Sequence, residues 1–195
     1  MNKNDLRYLK TEENMRLAML TLLKQKSPDK ITVREICQLS KCSRNTFYLH
    51  YDIKEETYKA IVDEVLQNLS DVFNPVVSQV REITQEIQEQ YVRNIISQVD
   101  QYRDSLSVLI ETDQGSFYKL LYQTIRESIL QSSSQISKKT DLALYQLQAS
   151  YMAGALTAFI FDWLGNPSLN SDEVLTILER IHLTTMETSR QILRE

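Results

Sequence analysis

Turn-forming chemistry is nearly missing from this chain: three glycines and three prolines serve 195 residues. The two together ordinarily supply roughly 12% of a globular sequence. Tight reversals depend on residues that accept positive φ or arrive with φ preset. β-Sandwiches, barrels and doubly wound sheets need many reversals, so this scarcity argues against all three. It favours an all-α fold in which long helices are joined by short polar links. The remaining composition, 42% hydrophobic and 25% charged, is ordinary for a globular chain. A chain this long can bury a core, as one compact domain or two small ones, without a metal or disulfide staple.

The spacing of apolar residues agrees. Residues 1–10 show no period and read as a frayed arm. Met15, Ala18, Met19, Leu22 and Leu23 take the i, i+3, i+4, i+7, i+8 positions of an amphipathic helix. The pattern predicts a start near Thr11 and a stop at Ser27-Pro28-Asp29. Thr32-Val33-Arg34-Glu35 is a capping box and opens a short second helix ending near Ser40-Lys41. Ser43 reads as the N-cap of a third helix over residues 44–50, with Phe47 inward. Asp52 reads as the cap of a fourth, whose stripe Tyr58, Ile61, Val65 and Leu69 runs towards Asn74-Pro75.

The rest reads as helix too. Val80, Ile83, Ile87, Tyr91, Ile95 and Val99 mark one helix; Leu106, Leu109 and Ile110 a shorter one; Phe117, Leu120, Leu121, Ile125 and Ile129 another. A turn is predicted at residues 113–116 and a polar loop at 132–139. A long helix over residues 140–164 stops at Gly165-Asn166-Pro167, a Gly-then-Pro terminator. Ser171-Asp172-Glu173 opens the last helix, with Val174, Ile177, Leu178 and Ile181 predicted to face inward.

Charge is unevenly spread. Residues 1–60 carry 12 Lys/Arg against 8 Asp/Glu, and residues 61–195 carry 10 against 18. A basic head on an acidic body points to an anionic partner for the head; a solvated surface accounts for so small an excess equally well.

Two short helices within residues 32–50, joined by a tight link and preceded by a longer amphipathic helix, have the form of a helix-turn-helix. Ile36, Cys37, Cys42 and Phe47 supply its small core. With Phe47 inward, about 100° of rotation per residue places Arg44, Asn45, Tyr48 and Leu49 outward. Arg, Asn and Tyr suit base edges and phosphates, and no carboxylate stands among them to repel a duplex.

The stretch ITVREICQLSKCSRNTFYLHYDIKEETYKAI resembles the DNA-binding domain of the TetR/AcrR family of transcriptional regulators. The resemblance covers about residues 11–61, and its S-R-x-T-F-Y-x-H-Y-x-x-K core is specific. It implies a three-helix DNA-binding head at residues 1–60 and a helical effector-binding and dimerisation body at 61–195. It further implies that Thr32 bonds a phosphate at a helix N-terminus and that Arg34 reaches phosphate or a nearby base. Ser43, Arg44 and Asn45 open the recognition helix in the major groove. Thr46 and Tyr48 grip the backbone beside Leu49, and His50 and Lys54 clamp flanking phosphates; a structural histidine at His50, solvated surface charges at Arg34 and Lys54, and a Tyr48 that only shields the small core are the competing readings. The family carries glycine where Lys41 stands here. A left-handed Lys there costs about 1 kcal/mol relative to Gly, and it is expected to be exposed. The segment from Tyr102 to Trp163 distantly resembles regulators of dihydroxyacetone kinase operons.

One head makes too few contacts for specific affinity. Two related by a two-fold axis read half-sites about 34–36 Å apart, or multiples of that, on a palindromic duplex. A homodimer is therefore expected, built on the last two helices. Small residues such as Ala153, Gly154 and Ala158 allow close approach, and Ile160, Val174, Ile177 and Ile181 add apolar area; burial inside one subunit is the competing reading. Tyr91, Tyr102, Phe117, Tyr118, Tyr122, Tyr151, Phe159 and Trp163 are candidates to line an effector pocket, although aromatic stripes at helical spacing also form plain core. The expected outcome is repression released by an effector. The alternative is a body that binds a co-activator protein instead of a small molecule.

Other classes fit poorly. No GxGxxG, P-loop, HExxH or GxSxG motif is present, so no enzyme and no cofactor are expected. The two histidines, His50 and His182, do not make a metal cluster by themselves. Cys37 and Cys42 read as small apolar residues. With no signal-peptide pattern, and an apolar stretch at 151–165 that is short and carries Asp162, a cytoplasmic protein without membrane contact is expected.

Overall fold

The computed structural model describes residues 5–73, 84–134 and 142–194, and among these it holds nine α-helices and no strand. They are α1 (Leu6–Leu23), α2 (Val33–Ser40), α3 (Arg44–Tyr48), α4 (Lys54–Phe73), α5 (Gln85–Gln101), α6 (Arg103–Thr112), α7 (Gln114–Ser134), α8 (Leu142–Leu164) and α9 (Ser171–Arg194). A 3₁₀ turn, Pro28–Lys30, leads into α2. The fold class is as the scarcity of turn residues predicts. No helix among the described residues is long and apolar enough to cross a membrane.

Several boundaries move. Helix α1 starts at Leu6, so residues 6–10 are not a frayed arm. The Asp5 carboxylate accepts the Arg7 N–H at 2.9 Å, and Tyr8, one heptad before Met15, is buried. Helix α1 also ends earlier than expected, at Leu23. Helix α3 stops at Tyr48 rather than His50. At the start of α4 the observed contact is the Asp52 N–H donating to the Glu56 carboxylate at 2.7 Å. Only Asp113 separates α6 from α7. Its carboxylate accepts the Ser116 N–H at 3.3 Å, so residues 114–116 begin α7 instead of forming a turn. Helix α7 continues through Ser134 into the predicted loop; residues 135–139 and the expected positions Asn74, Pro75, Val80 and Ile83 lie outside the described residues.

One continuous apolar core runs from Met15, Met19, Ile36 and Phe47 at the head, through Ile61, Val65, Leu69 and Phe73 on α4, to Ile95, Leu106, Phe117, Leu121, Ile160 and Trp163. The expected division at residue 60 falls inside α4, which packs on α1 and also on α5 and α7. Two ion pairs run alongside: Arg16 to Glu64 at 2.8 Å and Lys24 to Asp104 at 3.3 Å.

Helix α8 is apolar on both faces. Ala149, Met152, Ala153, Leu156, Ile160 and Trp163 are buried in the protomer, whereas Leu144, Leu147, Tyr151, Ala155 and Ala158 are exposed. On α9 the buried row is Val174, Leu178 and His182. Ile177 and Ile181 sit on the flank of that row and are exposed. The prediction that both face inward is corrected: α9 is rotated so that Leu178, at 3% exposure, occupies the centre of the buried row.

Candidate nucleic-acid interface

The segment from Thr32 to Tyr48, which carries α2 and α3, is built from local hydrogen bonds. Thr32 Oγ1 accepts the Glu35 N–H at 3.3 Å, while the Glu35 carboxylate accepts the Thr32 N–H at 3.0 Å and its hydroxyl at 2.8 Å. This is the full capping box. Lys26 pairs with the same carboxylate; its hydrogen bond, with those from Thr32, holds Glu35 down at a pKa of about 2. The Thr32 hydroxyl proton is thus directed at Glu35, and a phosphate would have to compete with that carboxylate.

Helix α2 ends on Lys41, which is left-handed (φ 56°, ψ 36°) and exposed, as expected if it stands in a glycine position. The Cys42 N–H donates back to the Cys37 carbonyl at 3.0 Å, the six-to-one bond of a Schellman turn. One residue later Ser43 caps α3, accepting the Thr46 N–H at 3.0 Å and sharing a 2.8 Å hydrogen bond with the Thr46 hydroxyl. Phe47 is fully buried, at 0% exposure. Arg44, Asn45, Tyr48 and Leu49 therefore emerge together, all exposed, with Tyr48 and Leu49 at 54% and 60%. Arg34 on α2 is exposed as well. The helix-turn-helix presents one cationic and polar surface, without a carboxylate on α3.

Two of the expected phosphate clamps are engaged inside the protomer. Lys54 Nζ donates to the carbonyls of Pro28, Asp29 and Ile31 at 2.8, 2.9 and 2.7 Å. An ammonium has three protons, and all three are engaged. His50 stacks on Tyr8 with ring centroids 3.8 Å apart, and both ring nitrogens are buried without a hydrogen-bond partner. Burial lowers its pKa against the pull of Glu12, which disfavours the charged ring. Sequence reasoning missed Tyr8; the signal was its heptad spacing to Met15.

The aromatic candidates in the body fall into separate places. Tyr91 stacks against His182 across the α5–α9 seam, centroids 6.3 Å apart, and its burial raises the phenol pKa well above the usual range. Phe117 and Tyr118 meet Phe161 at 6.3 and 4.9 Å. Trp163 is buried under the Arg103 guanidinium at 4.6 Å and donates its Nε1 proton to the Leu169 carbonyl. Tyr102, Tyr122 and Phe159 are half-buried. Tyr151 is 65% exposed on the outer face of α8, which corrects its assignment to an interior lining. Among the expected dimer positions, Ala153, Ile160 and Val174 are buried within the protomer. They face its own core. Gly154 is half-buried, and Ala158, Ile177 and Ile181 are exposed. Among the described residues no group of three or more His, Cys, Asp or Glu side chains could hold a metal ion.

No family profile matches the chain. A curated protein of Bacillus subtilis (strain 168), the uncharacterized HTH-type transcriptional regulator YxbF, is 23% identical over 166 residues. The match covers 85% of this chain but 42% of that protein, so the chain spans about two-fifths of its length. Solved structures share the fold. A TetR transcriptional regulator from Streptococcus agalactiae 2603V superposes with a TM-score of 0.59 at 20% identity, covering 89% of this chain and 93% of its own. A tetR-family transcriptional regulator from Streptomyces coelicolor gives a TM-score of 0.65 at 18% identity, covering 93% and 82%. The all-α architecture of this chain is the fold of TetR-type regulators.

Proposed function

We propose that the chain is a sequence-specific DNA-binding transcriptional regulator of the TetR type. It works as a homodimer that lays α3 of each protomer into successive major grooves of a palindromic duplex. The observation that carries this reading is the surface of α3: Arg44, Asn45, Tyr48 and Leu49 exposed together around a fully buried Phe47. Arg and Asn present bidentate donors and acceptors to base edges, and Tyr48 and Leu49 offer apolar contact to a thymine methyl. The fold shared with TetR-type regulators and the likeness to an HTH-type regulator support it.

The second copy docks on the outer face of α8 and the flank of α9. Leu144, Leu147 and Tyr151, one row of α8, are 56%, 69% and 65% exposed in one protomer, and Ile181 on α9 is 60% exposed; exposed apolar rows of this kind mark an association surface. The regulator acts as a repressor, and an effector in the body relieves repression by preferring the dimer state whose heads are wrongly spaced. A tenfold loss of DNA affinity requires about 1.4 kcal/mol of such preference.

The test is selection of genomic fragments by the purified protein, followed by titration of the recovered duplex at several salt concentrations. Binding with a steep salt dependence to a site with two-fold symmetry is expected. A monomer that ignores every duplex at low ionic strength overturns the proposal.

A further inference from the structure

Both cysteines of the chain stand at the turn of the helix-turn-helix, Cys37 in the last two turns of α2 and Cys42 in the link to α3. The six-to-one bond from the Cys42 N–H to the Cys37 carbonyl draws the two positions together, and side chains at these two places of a Schellman turn commonly touch. The Ser40 hydroxyl, which donates to the Ile36 carbonyl at 2.7 Å and lies 3.4 Å from that of Cys37, closes the same turn from inside. Cys37 is buried, at 6% exposure, and Cys42 is half-buried and reaches solvent. The Ser40 hydroxyl lies 3.2 Å from Cys42 Sγ. A reachable thiol thus stands one backbone hydrogen bond away from a second that is buried.

We propose that Cys37 and Cys42 are a thiol-modification site, closing to an intrachain disulfide by exchange with a small-molecule disulfide. The Cys42 thiolate attacks one sulfur of the reagent RSSR. A Cys42–SR bond forms, the reagent's S–S bond breaks, and the electron pair leaves on RS⁻. Cys37 then loses its proton to solvent and attacks Cys42 Sγ, expelling a second RS⁻. Two thiols are oxidised, one RSSR is reduced to two RSH, and the two protons reach the leaving thiolates through water. Burial, then the neighbouring Cys42, push the Cys37 thiol up to about 11. The second step is therefore the slower one and accelerates with rising pH.

The bond would act where the proposed function needs precision. A covalent link is far shorter than a thiol–thiol contact, so Cys42 is drawn towards α2, and Ser43 and Arg44 follow it in the chain. This consequence rests on the proposed DNA reading; the chemistry does not.

The experiment treats the reduced native protein with oxidised glutathione, blocks remaining thiols by alkylation and maps tryptic peptides. Trypsin cleaves after Arg34, Lys41 and Arg44, so the disulfide appears as a cross-linked pair of peptides, residues 35–41 and 42–44. That pair is expected as the main product and should separate with dithiothreitol. Cys37→Ser should stop at a glutathione adduct on Cys42, and Cys42→Ser should remain unmodified. A wild-type product that stops at the Cys42 adduct, joins two chains, or forms only in urea overturns the proposal, whether or not the variants fold. Binding to the duplex recovered by the genomic selection above should weaken roughly tenfold or more on oxidation, the scale of losing one bidentate base contact. The peptide map involves no DNA, so its failure is separable from a failure of the proposed function.

Discussion

Lys54 Nζ donates to the carbonyl of Ile31 at 2.7 Å, across 23 residues of chain. The same ammonium takes the carbonyls of Pro28 and Asp29. A lysine that the resemblance assigns to a DNA phosphate instead fastens the start of α4 to the segment entering α2. It fixes where the capped end of α2 stands.

Replacing Lys54 with Met should therefore lower stability rather than salt sensitivity. Hydrogen bonds from a charged donor are worth about 1.5–3 kcal/mol each, and they share one ammonium. A net loss of about 2 kcal/mol would lower Tm by roughly 4–8 °C in a chain of this size. Thermal unfolding reads the first effect, and the slope of log K against log salt reads the second. A reduced slope with an unchanged Tm would return Lys54 to the phosphate.

Arg44→Ala should leave Tm nearly unchanged, because the side chain is exposed. Binding to the selected site should weaken by about 1–3 kcal/mol, with relaxed preference at one position per half-site. Titration against a panel of single-base variants checks it. Equal affinity across the panel for wild type and variant would mean that another element reads the duplex.

His182 predicts acid sensitivity. It is buried, at 5% exposure, and burial depresses its pKa to about 4 from 6.5. The folded state binds its proton less readily than the unfolded chain. Its contribution is complete above about pH 6.5 and is lost as pH falls towards 4. Within that window the loss approaches about 1.4 kcal/mol per pH unit. Denaturant unfolding at pH 7 and pH 5 should show a marked drop for wild type and a smaller one for His182→Leu. Parallel curves would mean the ring is hydrated in the folded protein.

Leu147→Glu places a carboxylate on the outer face of α8 without touching the protomer core, since Leu147 is 69% exposed. Sedimentation velocity should show dimers for wild type and monomers for the variant, with helix content unchanged by circular dichroism. A variant that stays dimeric would move the interface off this face.

The α2–α3 turn of the head was legible in the sequence to the level of individual hydrogen bonds. The Thr32–Glu35 box, the Ser43 cap, the left-handed Lys41 and the inward Phe47 each depend on partners within a few residues. The body was legible as helices but not as faces. Helix α8 is apolar all round, so period alone did not separate the row holding Ala153 and Ile160 from the row holding Leu147 and Tyr151.

Scarce turn chemistry, helical period and short-range caps determined the helices and the outward set on α3, because each of these is settled within one or two turns of chain. Tertiary structure decided which polar groups remain free for a partner. Lys54 and His50 looked available until the Pro28–Ile31 carbonyls and the Tyr8 ring claimed them. A long side chain bonds whatever acceptor another element brings within reach, and that meeting, more than 20 residues away for Lys54, is written in no local pattern.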